Sequence, residues 1–379
     1  MQAAVSLLNL GLVAAAMVLL YSCSSDVSQQ PEPGAQLNGP GAYVIASDYA
    51  DSVIGRVELP SGTVQQNLAT FPNGDLILQQ AGNDLFVLSR SGEDVVRRYP
   101  NADFSDLPDL EVALQAGANP HALSSCGGLL WLSLYNRSEL IAMDPESGEI
   151  KQRVDLHSFD EGSDNSCEPS TLIQRGDRLL VALERFDLHS LRSDPQGLII
   201  EFDCESGELT EQWSTGPNPK IVIDPRNPDH LLVKEGDFYQ LDGRIRSLNL
   251  NSGEFGPSLL RDIELGGDLS DFVAVGDYLI ASSWSHASSP ESSSLHCLNR
   301  SQDLLIDGPA GLSQNLWHLG VSPTEQIWAG LTPSAANPAA EHGILRLDPA
   351  SCEASDTELL SFLLPPTHFL FFNASESGP

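Results

Sequence analysis

One short turn recurs along this chain and limits what it can fold into. The run Asp144-Pro145-Glu146-Ser147-Gly148 returns as Leu59-Pro60-Ser61-Gly62, Asp203-Cys204-Glu205-Ser206-Gly207, Asn249-Leu250-Asn251-Ser252-Gly253 and Asp348-Pro349-Ala350-Ser351-Cys352. Weaker copies lie at Tyr99-Pro100-Asn101-Ala102 and Asn299-Arg300-Ser301-Gln302. Pro fixes one backbone angle and Gly accepts a positive one, so each copy marks a tight turn. The serine place falls at 61, 102, 147, 206, 252, 301 and 351, in steps of 41, 45, 59, 46, 49 and 50 residues. Seven units of roughly 40 to 50 residues, each with about four short strands, predict an all-β chain folded as a seven-bladed β-propeller.

The unit Gly127 to Leu156 is the clearest, with an apolar strand from Leu129 to Leu134, a polar turn, a second strand to Met143, the tight turn, and an alternating strand to Leu156. Opening strands precede the apolar ones at Asn119 to Leu123, Pro169 to Ile173, Asn218 to Val222, Ser270 to Val273 and Leu316 to Leu319. The first unit, beginning at Ala42, lacks one, whereas Pro366 to Phe371 has the form of an opening strand with nothing after it. The C-terminal strand is therefore expected to complete blade one and close the ring, which removes exposed sheet edges.

In unit three, LWLSLYNRSELIAMDPESGE follows the strand, Tyr-Asn turn, strand and Asp-Pro-x-Ser-Gly order of the YVTN-type β-propeller repeats of exported bacterial proteins. The resemblance covers about Ala42 to Phe372, and in general form the chain looks like the propeller lipoproteins of myxobacteria and their relatives. It implies a fold and a location, not an activity.

Ala3 to Leu20 is nearly all small or apolar, too short for a comfortable transmembrane span, and reads as a signal peptide core. Leu20-Tyr21-Ser22-Cys23 resembles the bacterial lipobox, which implies cleavage before Cys23 and acylation of that cysteine, palmitate being a typical chain. Tyr21 and an n-region without Lys or Arg depart from the pattern. Several acyl chains anchor stably. Ser24 resembles the outer-membrane sorting signal of Gram-negative bacteria. The expected organisation is a signal peptide at 1–22, a flexible tether at 23–41, the propeller at 42–373 and a disordered tail at 374–379.

The chain carries 52 acidic and 19 basic residues, a net charge of −33. Such a field repels nucleic acid, and a solvated acidic surface suited to salty surroundings accounts for it. Besides Cys23, five cysteines remain, with no zinc or redox spacing; Cys297 and Cys352, on adjacent blades, are the disulfide candidate.

In a propeller the opening strands line the central channel, and the loops from second to third strand share the face of their entrances. The entrances carry His121, Lys220, Asp271, His318 and His368, and the long later loops carry Phe186, His189, Phe238, Tyr239, Trp284, His286 and His342. Loops on a rigid scaffold are the default binding surface, so these residues are the ligand-binding candidates. Three histidines round a channel offer a metal site, with polar lining of a watery channel the favoured account. The acidic runs Asp103, Asp106, Asp109 and Asp160, Glu161, Asp164 offer oxygens to a structural calcium but miss the spaced loop, so no cofactor is expected.

No nucleophile elbow, dinucleotide fingerprint or P-loop occurs, and the five tryptophans form no quinoprotein pattern. The expected function is a lipid-anchored envelope module, monomeric, that binds or scaffolds a protein or glycan rather than an enzyme. The alternatives are a metal-dependent lactonase using Glu168, Asp271 and Asn315 near the blade entrances, and a structural surface-layer component.

Overall fold

The computed structural model describes residues 40–160, 166–187, 192–193, 196–237, 240–285, 292–310, 312, 314–334, 337–356 and 358–372. Seven small antiparallel sheets form the ring, six of them four-stranded and the seventh three-stranded. The inner strands are Pro366–Phe372 for blade one, then Leu76–Ala81, Pro120–Cys126, Pro169–Arg175, Lys220–Ile223, Asp268–Val275 and Gln314–Val321. In blade seven the isolated bridges Ile344↔Leu360 and Leu347↔Ala354 stand in for an outer strand.

The apolar runs become second strands because a blade buries both faces against its neighbours. Leu129–Leu134 and Arg178–Leu183 are buried from their second residue onward. Outer strands face water on one side, and Ile150–Asp155 alternates half-buried with exposed positions accordingly. Seven apolar clusters result, each shared by two successive blades.

The cluster at the seam joins Ala42 and Val44 of blade one and Phe369 of its C-terminal strand to Trp328 and Ile344 of blade seven. The C-terminal strand pairs antiparallel with Gly41–Ser47, Gly41 opposite Phe372 and Ile45 opposite His368. Trp328 meets Phe371 edge to face at 4.8 Å. The ring therefore closes through the last strand of the chain, as its sequence predicts.

All seven recurrent turns join third to fourth strands, or the positions equivalent to them. In five of them the first residue accepts from the two backbone N–H groups that follow its neighbour: Asp144 from Glu146 (3.1 Å) and Ser147 (2.8 Å), and likewise Asp203, Asn249, Asn299 and Asp348. Gly148 then turns the chain at φ 68°. Cys352 takes the glycine place at φ 59°, where its sulfur joins Cys297.

Two disulfides staple neighbouring blades on the face away from the channel entrances. Cys297 of blade six joins Cys352 of blade seven at a Cα separation of 5.7 Å. Cys126 of blade three joins Cys204 of blade four at the same separation, a pair the sequence does not announce. Cys167 is buried and unpaired, and burial pushes its thiol far above the usual range.

Candidate functional site at the channel mouth

The inner strands do not enter the channel as plain strands. Register slips by one residue at Pro120/Ala122, Pro169/Thr171, Leu269/Asp271 and Leu316/His318, and opposite Ile45/Ala46 in blade one. Five blades thus carry a bulge at the same place, leaving His121, Ser170, Ser270, Trp317 and Thr367 unpaired. A bulge bends its strand and re-aims the side chains beside it. Serines of the second strands brace two of them: Ser133 Oγ accepts from Ala122 N–H at 3.0 Å, and Ser282 Oγ accepts from Asp271 N–H at 3.0 Å.

Asp271 is the hub of the polar belt that follows. Its Oδ1 accepts from the backbone N–H of Phe272 (2.7 Å) and from the Lys220 ammonium of blade five, and its Oδ2 accepts from Leu319 N–H of blade seven (2.9 Å). His318 Nδ1 lies 3.4 Å from the same Oδ2. Burial works against the charged carboxylate, but the Lys220 ammonium and His318 overcome it and hold Asp271 well below the usual range.

The His318 ring packs against His368, with centroids 4.7 Å apart, and His368 Nε2–H donates to the carbonyl of Leu78 in blade two at 3.1 Å. That bond fixes the tautomer and leaves His368 Nδ1 as an acceptor. Burial, with His318 and Arg90 nearby, pushes His368 down to about 3.

A second arc spans blades three and four. His121 packs on the Tyr135 ring at 4.7 Å, and Tyr135 donates its hydroxyl to Glu184 Oε2 at 2.6 Å. Burial raises Glu184 above the ordinary carboxylate range. His121 Nδ1 is buried without a hydrogen-bond partner, and burial together with Arg90 pushes the ring down to about 3. Lys234 sits opposite Lys220 across two strands, is buried, and donates to the Leu269 carbonyl at 3.3 Å. Burial and the neighbouring Lys220 lower it.

The expected entrance residues thus fall into two groups. Lys220, Asp271, His318 and His368 form one belt, while His121 lies on the other arc with Tyr135. Among the described residues no three His, Cys, Asp or Glu side chains converge to hold a metal ion. Glu168 Oε2 accepts from Phe186 N–H at 2.8 Å, and Asn315 is half-buried at the start of the inner strand of blade seven. Trp284 stands half-buried near the mouth end of its strand. Cys23, His189, Phe238, Tyr239, His286, Glu161 and Asp164 lie outside the described residues. Asp109 gives both oxygens to Arg98, at 2.9 and 2.8 Å, and Asp160 accepts from Ser138 Oγ at 2.6 Å.

Sequence reasoning misses Tyr135, Glu184 and Lys234. Their signal is a polar residue at the end of an apolar second strand, where the chain returns to the mouth. It also misses an aromatic pair on the rim: Trp317, extruded by its bulge and 47% exposed, meets Tyr49 of the first blade, 64% exposed, edge to face at 5.5 Å.

No protein-family model matches the chain, and no curated protein matches it in sequence. Solved structures share the architecture. A putative 6-phosphogluconolactonase from Bacteroides fragilis superposes with a TM-score of 0.62 at 12% identity, over 90% of this chain and 100% of that one. Hydrazine synthase of Kuenenia stuttgartiensis gives 0.55 at 15% identity, over 71% and 75%. A catalytically inactive histidine-to-alanine variant of virginiamycin B lyase from Staphylococcus aureus, with quinupristin, gives 0.52 at 16% identity, over 78% and 94%. At such identities the likeness is one of fold.

Proposed function

We propose that the protein is an exported, lipid-anchored β-propeller that binds a protein or glycan partner of the bacterial envelope through its channel-mouth face. Residues 1–22 are its signal peptide, Cys23 its acylated anchor, 23–41 its tether and 374–379 a tail, in keeping with the myxobacterial-type propeller lipoproteins it resembles and with an outer-membrane address. No helix of the described residues is long and apolar enough to cross a membrane.

The observation that carries the binding reading is the Tyr49–Trp317 pair beside the polar belt. Trp317 at its strand bulge and Tyr49 in a turn leave much of two large aromatic rings in water, and Tyr and Trp are the residues on which partners most often anchor. Acrylamide quenching in a Trp284→Phe background tests it, because Trp131, Trp213 and Trp328 are buried and contribute little quenchable signal, whereas Trp284 is half-buried near the same mouth. Envelope polysaccharide or envelope protein fractions are expected to shield Trp317, and Trp317→Phe is expected to remove the response. Absence of shielding by every fraction, or shielding that persists in the variant, sinks the reading. Cys23→Ala is expected to move the protein from membranes to the soluble fraction.

One observation favours a second reading, a hydrolase acting in the channel on a lactone or related ester. Asp271 orients His318 through Nδ1, which leaves Nε2 available as a general base. The reading stands on this pair and not on a metal, since Asp271 is committed to Lys220 and Glu168 to the Phe186 backbone. It requires turnover of some member of a lactone panel that His318→Ala abolishes.

A further inference from the structure

The chain holds three lysines, Lys151, Lys220 and Lys234, and two of them belong to blade five. At the mouth end of that blade each strand contributes a cation: Lys220 begins the first, Lys234 nearly ends the second, Arg244 begins the third, and Arg261 ends the fourth. In a protein of net charge −33 this is a basic edge on an acidic body. Part of it is neutralised from within. Lys220 is held by Asp271, while Arg244 Nε donates to the buried Glu235 at 2.9 Å and Arg246 shares that carboxylate.

Arg261 is not neutralised. It pairs across strands with Arg244 and is exposed; its backbone N–H donates to Glu264 Oε2 at 3.1 Å, but among the described residues no carboxylate forms an ion pair with its guanidinium. Beside it a notch of about 280 Å³ is lined by Leu241, Asp242, Gly243, Arg244, Arg261 and Ile263. Its apolar walls face water, Leu241 being 44% and Ile263 70% exposed. Ile263 lies on the single-turn helix Asp262–Leu265, whose Leu265 is buried in the core.

Leu241 is the second, independent sign. Its φ is 50°, a left-handed conformation that the Cβ of a bulky residue disfavours, and its N–H is pinned by Asp268 Oδ1 at 3.2 Å. Leu241 is thus both strained and 44% exposed, and such strain gathers at ligand clamps. Asp242 is the opposing charge that lines the notch, its Oδ1 accepting from Asp237 N–H at 3.2 Å, while Glu264 and the buried Asp262 bond to the backbone of Arg261 and Gly243 beside it.

We propose that this notch docks an acidic, aliphatic peptide segment of a partner protein, one aliphatic side chain seated between Leu241 and Ile263 and a carboxylate on the Arg261 and Arg244 guanidiniums. The inference rests on the reading of the mouth face as a binding face, and it names the chemistry of the partner. A guanidinium takes a carboxylate through two parallel N–H bonds, which adds direction to a contact that bulk charge would oppose. A small aliphatic socket with charged groups at its margin is how a partner's anchor residue is held.

The probe is a fluorescent hexapeptide alternating aspartate and leucine, followed by anisotropy with the full chain near physiological salt. The aspartate–leucine peptide is expected to bind at least tenfold more tightly than an aspartate–serine or a lysine–leucine peptide. Arg261→Glu and Leu241→Gly are each expected to weaken it at least tenfold. Glycine accepts φ 50° without strain, so Leu241→Gly is expected to keep or raise the thermal midpoint, which separates lost binding from lost folding. Equal binding of the aspartate–serine peptide, binding unchanged in both variants, or displacement of the peptide by decanoate at equal concentration overturns the proposal. If it is overturned while envelope fractions still shield Trp317, the notch assignment falls and the binding-face reading stands.

Discussion

Replacing Asp271 with alanine strips one acceptor from four donors at once. The backbone N–H groups of Phe272 and Leu319 are buried and lose bonds of 2.7 and 2.9 Å. Lys220 loses its carboxylate, and His318 Nδ1 loses its orienting partner. A buried donor left unsatisfied costs about 1–3 kcal/mol. Lys220 is over a third exposed, so water recovers part of its loss and its share is small. Breaking such a pair from one side is expected to cost about 3–5 kcal/mol in total. At roughly 2 °C per kcal/mol for a domain of this size, the thermal midpoint falls by about 6–10 °C.

Urea titration of Asp271→Ala, Lys220→Met and the double variant supplies the measurement. The double variant is expected to be less damaged than the sum of the singles by about 1–2 kcal/mol, because it leaves no orphaned ammonium. The folded pKa of Asp271 lies below its unfolded value, so its stabilisation is present above the unfolded pKa and is lost as the pH falls toward the folded one. Below about pH 4 the wild type should therefore lose stability more steeply than Asp271→Asn. Additive single-variant costs, or a loss under about 1 kcal/mol for Asp271→Ala, would refute the view of Asp271 as the hub of the belt.

Three further outcomes follow from the ring. Replacing Cys297 and Cys352 together with alanine opens a loop of 55 residues and should cost about 2–4 kcal/mol by urea midpoint, with reductant costing the wild type more, because it also opens Cys126–Cys204; an unchanged midpoint in the double variant contradicts it. Deleting residues 366–379 removes Phe369 and Phe371 from Trp328, so a sharp single unfolding transition with Trp328 still shielded from quencher would contradict closure at this seam. Cys167 should react with iodoacetamide only after unfolding, since burial both covers the thiol and keeps it protonated.

The parts of this molecule legible in the sequence are those whose cause is local. An Asp or Asn that accepts from the backbone two and three residues on, followed by a residue at positive φ, is complete within five positions, so five of the seven anchors could be read this way and the other two from their spacing. The unpartnered opening strand was legible for the same reason, because ring closure follows from counting strands. What the sequence hides is made by neighbours in the ring. Cys126 and Cys204 stand 78 residues apart and meet only because an inner turn of blade three lies against an outer turn of blade four. The entrance histidines were visible singly, yet their division into two arcs was not. It depends on Asp271 reaching across 51 positions to Lys220 and 48 to Leu319. Lys234 belongs to the strand His230–Glu235, yet a lysine followed by a glutamate does not look like a place to bury a chain. Only the sheet register, which sets it opposite Lys220, shows why both cations collect at one mouth. A binding face in a propeller is thus assembled from single residues contributed by separate repeats, and each repeat alone carries too little of it to be recognised.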